Sequence, residues 1–483
     1  FLFNNEINDD EITEDTIEKN TLCIKCGAIY ATDNKNARIC NCGDKYKKVV
    51  YKVVQKNKEN DFKMFNNINT CPSCGNKKYS GIVRSLNLGK DEGTALISQI
   101  LYEALDENEV KTQKPKKISL RKKDKNIVEI KVKEKQFLAF SDSRQQASFF
   151  ATFFEYNHTR MMRKRLIWEA IKSEGFKDLK IDELTSYLTY KIRDLNLFPN
   201  EMTAQKNAWL AVLVDLLKVD GAYDGEGLGL YYFDLDLSDI FNDLSKEEID
   251  AEFGKYKIDK DDLEIVMQVI FGIFKVTPAI YYAKSSLTQE EKADNLEYRR
   301  FDNSVMLQCE KNKKSNKKFK SVRSFLPINS SSNMVVRYIE KTFNCSLEEA
   351  IEILEMLFSL LVEECNMKGY SYDKIFIKSE NKESYKINSS KYIVKNYITS
   401  KFYQCSKCGR LTPYNVHNVC PHDKCNGKLY EVDPDKVLSN NYYRNQYKKK
   451  KIEKIVVKEH TAQLVKEKAK EYQNNFKNKQ INI

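Results

Sequence analysis

The sequence has no apolar run long enough to cross a bilayer: residues 208–217 and 266–276, the longest candidates, are too short and are interrupted by Asp215 and Lys275. It has no basic targeting segment either; residues 4–18 are acidic, which excludes a secretory leader of the usual kind and gives a cytoplasmic expectation. Without a secretory context, an odd cysteine count of 13 argues against a disulfide framework. No internal repeat is present. No Gly-x4-Gly-Lys-Ser/Thr loop occurs, so nothing here is built to cradle nucleotide phosphates. No Asp-Glu-x-His or Asp-Glu-x-Asp box is present to hold magnesium. No paired Asp/Glu-x-Lys site in a strand context suggests a nuclease. The chain opens on Phe1 and stops at Ile483, and is expected to be cut at both ends.

What remains is substantial. A chain of 483 residues can form two to four domains. Lysine and arginine number 81 against 69 acidic residues, a formal charge of +12 that suits a polyanionic partner without proving one. Ten cysteines fall in two clusters, and Cys309, Cys345 and Cys365 stand alone.

The second cluster pairs Cys405 and Cys408, spaced Cys-x2-Cys-Gly, with Cys420 and Cys425. Four thiolates on two tight turns suit a tetrahedral zinc ion, and Gly409 permits the left-handed turn that aims backbone N–H groups at sulfur. His417 and His422 lie nearby as minority substitutes for a cysteine. The first cluster has six cysteines: Cys23, Cys26, Cys40, Cys42, Cys71 and Cys74. One ion needs four of them. Cys23 and Cys26 can pair with Cys40 and Cys42, or with Cys71 and Cys74. An iron–sulfur cluster is the alternative occupant, but knuckles separated by β-rich sequence favour zinc. Neither cluster offers an open coordination position, so both read as structural.

Along the chain, residues 1–18 form an acidic lead-in, 19–80 the six-cysteine module, 81–107 a helical connector and 108–134 a lysine-rich linker. Residues 135–155 read as a buried strand over 136–140, a polar turn and a helix. Residues 156–400 are mostly helical by period, clearest at 161–171, 209–217, 263–274 and 347–362. Residues 401–432 hold the four-cysteine ribbon and 433–450 a basic connector. Residues 451–483 alternate again: a strand at 454–457, a helix at 461–476 and the start of a strand. His158 reads as a surface histidine.

The run Phe137-Leu-Ala-Phe-Ser-Asp-Ser-Arg-Gln-Gln-Ala147 resembles motif IV of superfamily-two helicases, in the form used by the cysteine-rich DEAD/DEAH type. The run Glu459-His-Thr-Ala-Gln-Leu464 resembles the segment that follows it in the same domain. Weaker matches are Ser80–Arg84, Glu226–Leu230, Ser324–Pro327 with Asn333, and Asn441–Tyr447. The resemblance implies an α/β fold with an α-helical insertion. Residues 135–155 and 451–483 would be a partial RecA-like second helicase domain, interrupted by the insert and accompanied by small zinc-ribbon modules. It implies that Ser141, Asp142, Ser143, Arg144 and Gln145, with His460, touch nucleic acid, DNA in preference to RNA. Hydroxyls, helix-start amides and a guanidinium at such a turn can hold phosphate. It implies Zn2+ as structural cofactor and ATP with Mg2+ in the whole protein, whose Walker motifs and arginine finger lie outside this chain. No residue here is then catalytic, no membrane is involved, and partner proteins of a repair or anti-phage defence system are expected. The rival reading is a non-catalytic zinc-ribbon protein that binds nucleic acid.

Overall fold

The computed structural model describes residues 2–3, 17–31, 40–53, 90–105, 108–114, 128–138, 144–198, 200–219, 221–275, 280–281, 287–288, 290–291, 307–308, 323–327, 332–367, 375–378, 384–458, 464–478 and 480–481. It is mixed α/β, with many helices and several small sheets. The chain divides into two compact units. One comprises Phe1–Leu86 with Cys405–Gly409 and Cys420–Lys428, and the other Asn87–Gln404 with Arg410–Val419 and Leu429–Ile483.

The first unit contains an antiparallel sheet of β1 (Ile17–Cys23), β2 (Ile29–Ala31) and β3 (Lys47–Val53), with Leu2–Phe3 on the outer edge of β3. Valine, threonine and tyrosine suit these pleated positions. Side chains alternate between its faces: Asn20 and Val50 face each other and are buried, whereas neighbouring Val49 is exposed.

The second unit begins with α1 (Lys90–Ala104), followed by β4 (Asn108–Lys114) and β5 (Val128–Glu134). These two strands pair in full antiparallel register, from Asn108 opposite Glu134 to Lys114 opposite Val128. The linker expected over residues 108–134 is therefore a hairpin in its described part. The alternation of Val110, Thr112, Ile130 and Val132 between charged residues is the strand signal that lysine content masked.

Helix α2 (Arg144–Ser173) runs unbroken for 30 residues. It leads to α3 (Ile181–Asp194) and α4 (Glu201–Leu216), the latter started by Asn200, whose side chain accepts from the Thr203 amide at 2.9 Å. Leu184, Leu188 and Ile192 of α3 are fully buried, as are Ala204, Ala208 and Ala211 of α4. Burying each such Leu or Ile contributes about 1.5–3 kcal/mol. Strand β6 (Tyr231–Leu235), α5 (Lys260–Lys275), α6 (Met334–Phe343), α7 (Leu347–Met367) and β7 (Tyr392–Asn396) complete this core. Asn333 caps α6 and a Ser346–Glu349 capping box starts α7. All four of the clearest helical expectations fall within helices here. The same stretch also carries sheets, one with β7 between β6 and Leu179–Lys180, another with Ser384–Asn388 at its centre.

The ribbon strands are β8 (Phe402–Cys405), β9 (Leu411–Thr412) and β10 (Leu429–Val432), with β8 in the middle. After these come a short helix, Pro434–Val437, and then α8 (Tyr442–Lys449) and α9 (Lys466–Lys477).

A second, smaller core is made by Tyr102 of α1, Phe154 of α2, and Ile455 and Val457, with Phe137, Phe150 and Ala151 against it. Residues 135–138 and 451–458 are not in a ladder, so the strands expected at 136–140 and 454–457 are not formed among the described residues. In the second segment the side chains still bury as a strand's would, with Ile455 and Val457 in and Lys454 and Lys458 out; in the first, expected to be buried, Phe137 is half-buried and Leu138 is exposed.

Candidate metal centres

Each unit of chemistry starts with a knuckle turn. In the first module the Gly27 amide donates to the Cys23 carbonyl at 2.8 Å, closing the turn that carries Cys26. The sulfurs of Cys23, Cys26, Cys40 and Cys42 all lie within 4.8 Å of one another. This brings together the first of the two pairings left open by spacing, Cys23 and Cys26 with Cys40 and Cys42. Cys71 and Cys74 lie outside the described residues. The backbone N–H of Cys26 pulls the Cys23 thiol down to about 6. Cys42, sharing its proton with the Cys26 sulfur, is pushed up to about 12. Four thiols thus compete for few protons, a competition that a divalent cation resolves by binding all four as thiolates.

In the ribbon, Cys405, Cys408, Cys420 and Cys425 also lie within 4.8 Å of one another, and three of the four are buried. The Cys405 and Cys425 sulfurs are 3.7 Å apart, and those of Cys408 and Cys420 are 3.8 Å apart. A tetrahedral ion with Zn–S bonds of about 2.3 Å sets its sulfurs about 3.8 Å apart. The spacing is that of one ion; a multi-iron cluster would push its ligands wider. Hydrogen bonds from Cys408 and Cys420 hold Cys425 far below the usual thiol range, and sharing with Cys408 raises Cys420. Gly409 has φ of +69° and its amide donates to the Cys405 carbonyl at 3.0 Å, as its place after the knuckle implies. Sequence reading passed over Gly427. A Cβ there would lie 2.3 Å from the Cys405 sulfur, so only glycine fits.

Of the two nearby histidines, His422 sits with Nδ1 3.4 Å from the Cys420 sulfur. His417 faces away: its ring meets the Thr342 carbonyl and the Asp262 carboxylate, both at 3.2 Å, and sits edge-on to Phe343. Each four-cysteine group can hold zinc with no histidine. The ion would supply only structural cross-linking there, because four thiolates close its coordination.

The other expected site residues are mostly out of view. Ser141, Asp142, Ser143 and His460 lie outside the described residues. Arg144 and Gln145 open α2, but their side chains lie outside too. His158 is a correction: it is buried, not on the surface, with Nε2 2.9 Å from the Glu453 carbonyl. Helix α2 continues past it and the returning chain covers it; burial holds its pKa down at about 4.

Two weak sequence matches meet in space. Arg444, from the Asn441–Tyr447 run, donates to the carbonyls of Leu228 and Gly229, from the Glu226–Leu230 run. Its guanidinium also pairs with Asp435 at 2.9 Å and lies 4.8 Å from the Tyr397 ring centre. Partial burial works against the Asp435 carboxylate, but Lys448, Tyr397 and Arg444 hold it well below the usual range. Deeper in the same unit Lys164 pairs with Asp215, which accepts from the Tyr231 hydroxyl. Burial lowers Lys164 to about 7 and Lys275 to about 8, and raises Asp224. The cavity beside them, lined by Asp215, Lys218, Asp224, Glu226 and Lys275, is about the size of one water. No substrate fits it, so these charges fix the core's arrangement. Phe325, in the third weak match, stacks on Phe274 in the core at 5.8 Å.

Set against protein-family models, curated proteins and solved structures, the chain matches none. Among the described residues no helix is long and apolar enough to cross a membrane.

Proposed function

We propose that this chain is part of an ATP-dependent, superfamily-two helicase of the cysteine-rich DEAD/DEAH type, acting on nucleic acid and on DNA in preference to RNA. In this reading residues 135–155 and 451–483 belong to its second RecA-like domain, the segment between them is an insert, and the cysteine modules are structural zinc sites. Ser141 to Gln145 and His460 track the strand's phosphates. The observation that carries it is the meeting of the two anchor regions across the insert. The Gln136 side-chain amide donates to the carbonyls of Phe476 at 2.5 Å and Ile481 at 3.2 Å. Phe137, Phe150 and Phe154 share a small core with Ile455 and Val457, separate from the insert's large core. A domain interrupted by an insertion predicts that arrangement, and a linear string of modules does not.

The two compact cysteine groups equally favour a non-catalytic zinc-ribbon protein, the alternative reading. Turnover separates them. Nucleotide hydrolysis needs a phosphate loop, a magnesium-holding carboxylate and an arginine from the facing domain. The chain alone is therefore expected to be inactive. Expressed with its natural flanking sequence, it is expected to hydrolyse ATP, faster with single-stranded DNA present. Arg144→Ala in that longer protein is expected to lower the stimulated rate more than the basal rate. Hydrolysis by this chain alone, or none by the longer protein, refutes the reading in a steady-state ATPase assay.

A further inference from the structure

The first cysteine module has a face that its metal does not explain. The side chains described in it, at residues 20–30 and 40–50, include four lysines (25, 45, 47 and 48) against Asp44. Asp44 is already engaged by Lys47 at 2.5 Å. The balance stays positive even after counting the formal charge of a zinc ion with four thiolates. The Ile24 amide donates to the Tyr46 carbonyl at 2.9 Å, which ties the first knuckle to the turn ahead of β3. The Lys25 and Lys45 ammonium groups then lie 5.3 Å and 4.9 Å from the centre of the Tyr46 ring. Beside this group Ile24 of the first knuckle is 55% exposed. A module this small has few apolar side chains to spend on its own core, yet it leaves this one in water.

We propose that this face binds single-stranded nucleic acid, with bases against Tyr46 and Ile24 and phosphates against Lys25 and Lys45. An aromatic ring among ammonium groups is the arrangement that strands without base pairs use, because stacking needs an unpaired base and the lysines track its backbone. A duplex hides its base faces, so it offers nothing to stack on such a ring. The proposal rests on the helicase reading for the presence of a strand, and adds a contact point outside the RecA-like segments.

The test uses the full chain, loaded with zinc, with fluorescence anisotropy of labelled oligo(dT), oligo(U) of the same length and a hairpin duplex. The pair Lys25→Glu and Lys45→Glu is expected to weaken single-strand binding by about tenfold or more and to reduce its salt dependence. Tyr46→Ala is expected to cost about tenfold, and Tyr46→Phe little, since the ring is what stacks. The pair Lys172→Glu and Lys246→Glu, with the same change in charge in the other unit, is expected to cost much less. Zinc content reports whether each variant still folds its module. Comparison of the two oligonucleotides assigns the sugar, and loss of either one's binding in the lysine pair supports the proposal. Zinc-loaded lysine variants that bind single strands like the parent overturn the proposal and leave the helicase reading standing. A duplex bound as tightly as the single strands, with the same response to the variants, also overturns it. No binding to any probe at low salt overturns both.

Discussion

The sharpest consequence of the ribbon geometry concerns Gly427. A methyl group there would stand 2.3 Å from the Cys405 sulfur and 3.0 Å from the Lys407 Cβ and amide nitrogen. Non-bonded atoms of this kind sit at about 3.5–4 Å, so relief needs more than about 1 Å of movement. The strand holding Cys405 cannot supply it cheaply, because Tyr403 and Gln404 are laddered to Thr412 and Leu411. The sulfur must therefore move, and metal–ligand distances tolerate only about 0.2 Å. A structural zinc contributes on the order of 10 kcal/mol to folding its site, so a ligand displaced by several times the tolerance forfeits most of that. Gly427→Ala is expected to lower bound zinc from two ions per chain to one and to unfold the ribbon locally. Lys428→Ala, next to it and exposed, is expected to keep both ions. Elemental analysis and competition with a chromogenic chelator read the outcome. Two ions held by Gly427→Ala as tightly as by the parent would refute the four-thiolate geometry.

Three further outcomes follow from the same contacts. Cys42→Ser is expected to release one ion from the first module and leave the ribbon's; if metal content is unchanged, Cys42 is not a ligand. Arg444→Met strips two buried carbonyls and Asp435 of their donor, a loss of about 3–5 kcal/mol, or roughly 10 °C in a thermal scan. Arg444→Lys should recover only part of it, and a shift below about 2 °C for the methionine variant contradicts the network's weight. His158 is neutral when folded, at about 4 against 6.5 for the free side chain. The unfolded chain therefore takes up the proton first. Its contribution to stability is complete above about pH 6.5, declines by about 1.4 kcal/mol per unit as pH falls towards 4, and then levels off. His158→Gln should remove that part of the slope in urea titrations between pH 7 and 4.5; an identical slope places the acid sensitivity elsewhere.

How much of this was legible in the sequence depends on how local the signal was. Helices α5 and α7 were readable because their apolar residues recur on one face over several turns, and α4 because it is apolar nearly all round, buried on every side over residues 207–216. The ribbon was readable because four cysteines on two turns leave one coordination geometry. The hairpin of β4 and β5 was not, since an alternation of Val110, Thr112, Ile130 and Val132 is weak against so many lysines. The pairing of Cys23 and Cys26 with Cys40 and Cys42 depends on how β1 and β3 bring the turns together, which spacing does not encode. His158, Gly427 and Arg444 are defined by partners 295, 22 and 216 residues away, and no local pattern marks them. The helicase resemblance rests on short runs whose polar turn lies outside the described residues, and it stands as a proposal.

The way the segment between α2 and residue 451 is attached to the small core has a mechanical consequence. A long excursion between two nearby points costs little extra closure entropy, about 0.6 kcal/mol for each doubling of length. What needs explaining is how its ends are held together. Helix α2 does this by belonging to both cores: Phe150 and Phe154 lie in or against the small one, and Leu166, Ile167 and Ile171 lie in the large one. Between them, His158 meets the Glu453 carbonyl, and Arg165 donates to the Gln446 and Lys451 carbonyls at 3.0 and 3.2 Å. Gln446 in turn donates to Glu103 of α1 at 2.6 Å. Outgoing helix and returning chain are thus clasped over the same turns. Bending between the cores would break buried hydrogen bonds as well as the helix, and each orphaned buried group costs about 1–3 kcal/mol. The small core and the segment that leaves and rejoins it are therefore expected to move as one piece rather than to swing at the junction.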